Sequence, residues 1–138
     1  MIGLVLIGRN EGARLEACIQ SIKPLNLPAV YVDSGSTDSS VAYALKEGLQ
    51  VVNLDLSKPF SAGRARNEGF KVLLQKHADL KYVQFIDGDC LLGGEWLGAG
   101  ADYLELNSKC SIVCGVRKEL YPDKTIFNFL CDIESMRP

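Results

Sequence analysis

Residues Tyr82-Val83-Gln84-Phe85-Ile86-Asp87-Gly88-Asp89 hold the densest chemistry in the chain. An apolar run rich in β-branched and aromatic residues reads as a buried strand, and it stops at two carboxylates one residue apart. Carboxylates at the carboxyl end of a sheet strand sit where open α/β folds bind ligands, and their hard oxygens suit Mg²⁺ or Mn²⁺. A metal held there would serve a phosphorylated substrate. Asp-Gly is also ordinary turn chemistry, so the triplet takes its meaning from its companions.

Two further polar clusters follow apolar runs: Gly8-Arg9-Asn10-Glu11, and Asp33-Ser34-Gly35-Ser36-Thr37-Asp38. Asp33 stands at the last position of its strand and can accept a hydrogen bond from a ligand N–H, as a base-reading carboxylate does. Ser36, Thr37 and Asp38 read as helix-start chemistry, side-chain oxygens capping free N–H groups. The segment from Phe60 to Phe70 supplies the positive charge a diphosphate requires. Arg64 and Arg66, near a helix start, offer planar sets of donors to phosphate oxygens, and their alternate positions on a helix give them different tasks. The first cluster lacks both the G-x-G-x-x-G dinucleotide fingerprint and the Gly-Lys-Ser/Thr of a phosphate loop. A nucleotide bound here is held by other means.

The elements that position these clusters follow from periodicity. Ile2 to Ile7 reads as a strand, and Asn10 as the cap of a helix burying Leu15, Cys18, Ile19 and Ile22. Ala29 to Val32 is a second strand, followed by a helix carrying Val41, Ala44 and Leu45. Leu49 to Leu54 is a third, followed after Lys58-Pro59 by a helix carrying Ala62, Ala65, Gly69, Val72 and Leu73. The strand ending at Asp87 leads to a helix through Trp96, Leu97, Ala101 and Leu104, with Trp96 in the core. A strand from Ser111 to Val116 and a helix from Thr125 to Ser135, with Ile126, Phe129, Leu130 and Ile133 on one face, complete the pattern. Alternation of this kind predicts an α/β fold, a mostly parallel sheet with helices on both faces, whose ligand edge is the carboxyl end of the strands.

The chain has 138 residues, the size of one domain, with 47% apolar and 23% charged residues, as in a soluble globular protein. Its formal charge of −2 offers no basic footprint for nucleic acid. No window has the apolar length of a membrane span and the amino terminus does not read as a signal peptide, so the expected location is cytoplasmic. Of the five cysteines, Cys18 and Cys131 read as small hydrophobes on helix faces. Cys110 and Cys114, roughly 13 Å apart if extended, cannot share one metal ion. The single histidine, His77, reads as a helix-end residue and takes no catalytic role.

Taken together, Leu6-Ile7-Gly8-Arg9-Asn10-Glu11-Gly12, Val32 to Asp38, Ala65-Arg66-Asn67-Glu68-Gly69 and Ile86-Asp87-Gly88-Asp89 resemble the amino-terminal half of a family 2 glycosyltransferase. The resemblance covers essentially all of the chain. It implies the GT-A, Rossmann-like three-layer architecture and a single nucleotide-sugar-binding domain over residues 1–138, ending before the acceptor-binding half. It also implies a nucleotide diphosphate sugar as donor, commonly a UDP-sugar, with Mg²⁺ or Mn²⁺ on the diphosphate and transfer to an acceptor hydroxyl with inversion.

By the family pattern Asp33 and Ser34 read the base, Asp87 contacts the ribose or diphosphate region, Asp89 ligates the metal, and Arg66 lies near the nucleotide. Arg9 stands where an aromatic residue often stacks on the base, and Ser34 where the family often has a second acid. The catalytic base is expected beyond Pro138. The acceptor class, whether glycan, lipid or small molecule, is left open. So are self-association through the apolar last helix and peripheral membrane attachment through segments outside this sequence. The alternatives are a non-catalytic nucleotide-sugar-binding or scaffolding module and, from the Asp-x-Asp alone, a haloacid-dehalogenase-type phosphatase, whose motif usually sits on an early strand.

Overall fold

In the computed structural model, residues 1–135 are described, and the chain forms two compact units, Met1–Gly94 and Glu95–Pro138, where the sequence reads as one domain. The first unit contains the whole sheet. Its strands are β1 (Ile2–Gly8), β2 (Ala29–Asp33), β3 (Gln50–Asn53) and β4 (Tyr82–Asp87), all parallel, in the order β3-β2-β1-β4. They are joined by α1 (Ala13–Ile22), which runs into a short 3₁₀ turn at Lys23–Leu25, by α2 (Ser40–Lys46) and by α3 (Ala62–Lys76).

Strand periodicity sorts the core into two faces. Val5 and Ile7 of β1 pair with Val30 and Val32 of β2, and these four pack with Ala65 and Leu73 of α3. Leu4, Leu6 and Tyr31 point the other way and are fully buried, on the face where α1 presents Leu15, Cys18, Ile19 and Ile22 at helical spacing. The close fit of α3 depends on Gly69, since a Cβ there would lie 2.5 Å from Val5 Cγ1 and 2.8 Å from Val32 Cγ2. Helix α3 is capped by Ser61, whose hydroxyl accepts from the backbone N–H of Arg64 at 3.1 Å.

Beyond Gly94 the structure departs from the expected pattern. Helices α4 (Trp96–Leu106) and α5 (Ile126–Ser135) form as expected, but residues 111–116 are not a strand. A strand exists through a neighbour's backbone, and this segment has no ladder partner among the described residues; Ile112 and Val116 are 80% and 77% exposed. Trp96 is half-buried, its ring lying against Gly100 and Gly115. Cys131 is exposed, because no residue of α5 is buried, and so it is not the packed hydrophobe expected. His77 ends α3 as expected, its N–H bonded to the Leu73 carbonyl. Among the described residues no helix is long and apolar enough to cross a membrane.

Candidate functional site

The parallel register lines up the chemistry-bearing strand ends. Gly8 of β1 pairs with Asp33 of β2, Asp33 with Asn53 of β3, and Ile7 with Asp87 of β4. Asp33 and Asp87 therefore flank β1 on its two sides, about 10 Å apart as two strand spacings. The chain runs outward from β1 to β2 and β3, then returns to place β4 on the other side of β1, so the topological switch falls at the carboxyl ends of β1 and β4.

On the β2 side, Asp33 is only 3% exposed and both of its carboxylate oxygens are engaged. Oδ2 accepts from the N–H groups of Gly35 (2.9 Å) and Ser36 (2.8 Å), and Oδ1 from the Tyr31 hydroxyl (3.1 Å). Gly35, at φ 89°, gives the turn the backbone an L-residue resists. Burial, then the charge of Asp33, raises the Tyr31 phenol above its ordinary range and keeps it a donor. Ser34 is equally buried, and its N–H donates to the Gly8 carbonyl at 3.0 Å.

Asn10 does not cap α1. The helix starts from Gly12, and Asn10, in the left-handed region at φ 55°, instead joins the first two loops. Its N–H donates to Ser36 Oγ (2.9 Å) and its side-chain oxygen accepts from the Thr37 N–H (2.7 Å). Ser36 and Thr37 are thereby drawn into the loop junction rather than into capping α2. Asp38 alone of the three keeps a helix-start role, with Oδ1 accepting from the Ser40 N–H at 3.0 Å, and bonding to the Ser40 hydroxyl holds it below the usual carboxylate range.

On the β4 side, Arg66 Nη2 lies 2.7 Å from Asp87 Oδ1, and the Cys90 N–H closes the turn onto the Asp87 carbonyl at 2.9 Å. Gly88 donates to the Ile7 carbonyl at 2.7 Å, so close that a Cβ would fall 3.1 Å from that oxygen. Asp89 is exposed, with the Cys90 thiol 3.5 Å from its Oδ1. Beneath this turn, Cys18 is pushed up to about 12, mainly by burial and then by the charges of Cys90, Asp89 and Asp87, so it stays a neutral thiol. Glu11 packs between Gly8 and Gly88; its Oε2 is buried without a hydrogen bond, although Arg14 Nη2 stands 2.8 Å away.

A cavity of about 460 Å³ opens beside the β2 and β3 ends, lined by Arg9, Ser34, Leu56, Lys58, Phe60 and Arg64 among others. Arg64 points into the loop before α3. Its guanidinium donates to the carbonyls of Asp55 (2.6 Å), Lys58 (3.2 Å) and Pro59 (3.3 Å). Arg9 is exposed and makes no hydrogen bond or ion pair with any other described residue.

The structure thus groups Arg9, Ser34 and Arg64 around one cavity, pairs Arg66 with Asp87, and leaves Asp89 open to solvent beside that pair. Sequence reasoning missed Leu56, Lys58 and Phe60 as walls, and Tyr31 and Asn10 as supports. The tolerance of Asn for left-handed backbone was the one available signal for Asn10. Among the described residues no three His, Cys, Asp or Glu side chains cluster as a ready-made metal site. Exposed hard oxygens of Asp87 and Asp89 nevertheless fit Mg²⁺ or Mn²⁺, ions that use one or two carboxylates and complete their shells with substrate phosphates and water.

A model of glycosyl transferase family 2 matches residues 4–129. The chain belongs to that family. No curated protein matches it. Among solved structures, glucosyl-3-phosphoglycerate synthase from Mycobacterium tuberculosis, in complex with Mn²⁺, UDP and glucosyl-3-phosphoglycerate, is 28% identical with a TM-score of 0.53 over 78% of this chain and 40% of that one. The same enzyme with Mn²⁺, UDP-glucose and phosphoglyceric acid matches at 28% identity and TM-score 0.53, over 79% and 40% of the two chains. With Mg²⁺ and UDP it matches at 28% and 0.53, over 78% and 40%. The sequence therefore spans about 40% of the length of these neighbours. The GT-A fold and the correspondence to the family's amino-terminal, nucleotide-sugar-binding part are as the four motifs implied.

Proposed function

We propose that this chain is the donor-binding part of a glycosyltransferase that takes a sugar from a nucleotide diphosphate sugar, a UDP-sugar by preference, and transfers it to an acceptor hydroxyl with inversion. The observation that carries the reading is the meeting of Asp33, the Arg66–Asp87 pair and exposed Asp89 along one edge of a parallel sheet, at its topological switch. Neighbouring structures holding UDP with Mn²⁺ or Mg²⁺ support it.

In this reading the base sits in the cavity beside Arg9 and Ser34, and the diphosphate extends toward β4. Asp87 orients the ribose and diphosphate region, with its own geometry set by Arg66, and Arg66 places positive charge near the phosphates. Asp89 would hold a divalent cation, which when bound neutralises the charge that develops on the departing diphosphate. Arg64, its guanidinium committed to the carbonyls of Asp55, Lys58 and Pro59, acts through the loop it holds. The acceptor hydroxyl needs a base to take its proton, and no described residue is assigned that role: Glu119 and Asp132 are engaged locally, with Asn128 and with the Glu119 N–H.

Titration of UDP with and without Mn²⁺ tests the proposal. UDP should bind more tightly with the metal, and Asp89→Ala should remove that gain. Binding that ignores the metal, or a metal gain that survives the substitution, would remove Asp89 from its role.

A further inference from the structure

A second cavity, of about 500 Å³, opens at the other edge of the sheet, where β2 and β3 begin. It lies within the first unit, about 13 Å along β2 from Asp33, and has the size of a small-molecule pocket. Its floor is apolar: Ile22 and Val30 are core residues, and Leu27, Leu49 and Val72 are half-buried beside them. Its rim is richer in donors than in acceptors. The carbonyls of Ile19, Lys23, Pro28 and Leu73 are taken by the N–H groups of Lys23, Asn26, Leu4 and His77, so these oxygens are already spent. The one carboxylate among the lining residues, Glu47, is held by Lys23 Nζ at 2.7 Å and by Gln20 Nε2 at 3.3 Å. Lys76, by contrast, is a lining ammonium that makes no ion pair or hydrogen bond among the described residues, and the carboxamides of Asn26 and Gln50 have no partner there either.

We propose that this cavity is a second ligand site, separate from the donor edge, for a small carboxylic acid with an aliphatic body, whose chain lies on Ile22, Val30, Leu49 and Val72 and whose carboxylate faces Lys76. The apolar floor selects the chain, because methylenes placed there leave water. The charge selects the head. Lys23 is already matched by Glu47, so the rim carries one unmatched ammonium, which suits the single negative charge of a carboxylate; a phosphate monoester brings nearly two. A cation in the last turn of a helix also offsets the helix dipole. Here that cation borders an apolar cavity together with two carboxamides able to donate to a carboxylate oxygen. The site uses none of the residues of the donor edge, so it stands or falls independently of the nucleotide-sugar reading.

The test is titration of the full, isotopically labelled chain with octanoate, octanol and octylammonium, followed through its backbone amide signals in NMR. Octanoate should saturate and move the signals of Asn26, Gly48, Gln50 and His77, while those of Gly35 and Gly88 stay in place. It should bind about fivefold more tightly than octanol, the upper scale of one exposed ion pair. Octylammonium should bind most weakly. Lys76→Glu, a change at an exposed position, should cancel the preference for octanoate and favour octylammonium. Equal binding of octanoate and octanol, or octanoate binding that Lys76→Glu does not weaken, overturns the carboxylate site. Signal changes confined to exposed apolar residues such as Ile126 and Phe127 of α5 mark adsorption to another surface and also overturn it. Absence of saturable octanoate binding overturns it as well, and none of these outcomes bears on UDP binding at the donor edge.

Discussion

Arg66 Nη2 and Asp87 Oδ1 meet at 2.7 Å, joining the second turn of α3 to the last residue of β4. With side chains 36% and 49% exposed, the pair contributes at most about 1 kcal/mol to stability. In the proposed donor-binding reading, the pair instead orients the Asp87 carboxylate at the switch point. Arg66→Ala should therefore leave the thermal midpoint nearly unchanged while weakening UDP binding severalfold. A large loss of stability with unchanged UDP affinity would make the pair structural.

Asp33 presents the opposite balance. Its removal leaves the Tyr31 hydroxyl and the N–H groups of Gly35 and Ser36 without their acceptor in a nearly closed space. Each orphaned buried donor costs about 1–3 kcal/mol. Asp33→Ala should accordingly lower the urea midpoint clearly, and a variant as stable as the parent would show that water replaces the carboxylate.

At Gly69 two effects compete. Alanine favours a helix interior over glycine by about 1 kcal/mol, yet its methyl would press into Val5 and Val32 at 2.5 and 2.8 Å. Both are fully buried strand residues with stiff side chains, and overpacking typically costs about 1–3 kcal/mol. Gly69→Ala should be net destabilising in denaturant unfolding; stabilisation would mean that α3 shifts freely across the sheet.

Cys18 carries a pH signature. Its thiol, ordinarily near 9.0, is raised to about 12 in the folded chain, mainly by burial. Between those values the unfolded chain releases a proton that the folded one retains, so the contribution of Cys18 is fully present below pH 9 and is lost as pH rises toward 12. Unfolding free energies measured across that range should fall less steeply in Cys18→Ala, by up to about 1.4 kcal/mol per pH unit. Parallel curves for the two proteins would count against the shift.

Much of this was legible in the sequence because it depends on local pattern. Apolar runs in residues 2–7, 29–32, 49–54 and 82–87 marked all four strands to within a residue or so, and i, i+3, i+4 spacing marked each helix, including the face Leu15, Cys18, Ile19 and Ile22. Residues 111–116 show the limit of pattern, since Ile112, Val113 and Val116 have strand-forming side chains but no ladder to join among the described residues. At the site, residue type alone marked Asp87, Asp89, Arg64 and Arg66 as candidates. It could not show that Arg64, in the first turn of α3, turns to the carbonyls of the preceding loop while Arg66, two residues on, meets Asp87.

The sequence by itself determined which residues could form strands and helices, and that acids and arginines would gather at strand ends, since both follow from periodicity and side-chain chemistry along a few consecutive residues. Only the tertiary structure decided that Asp33 and Asp87 flank β1, that Asp33 is spent on its own turn, and that Arg64 is held by loop carbonyls while Arg9 has no such partner among the described residues. Those outcomes depend on strand order, register and the packing of α3 across the sheet. Such contacts join residues far apart in the chain, and local spacing cannot encode which partner each will meet.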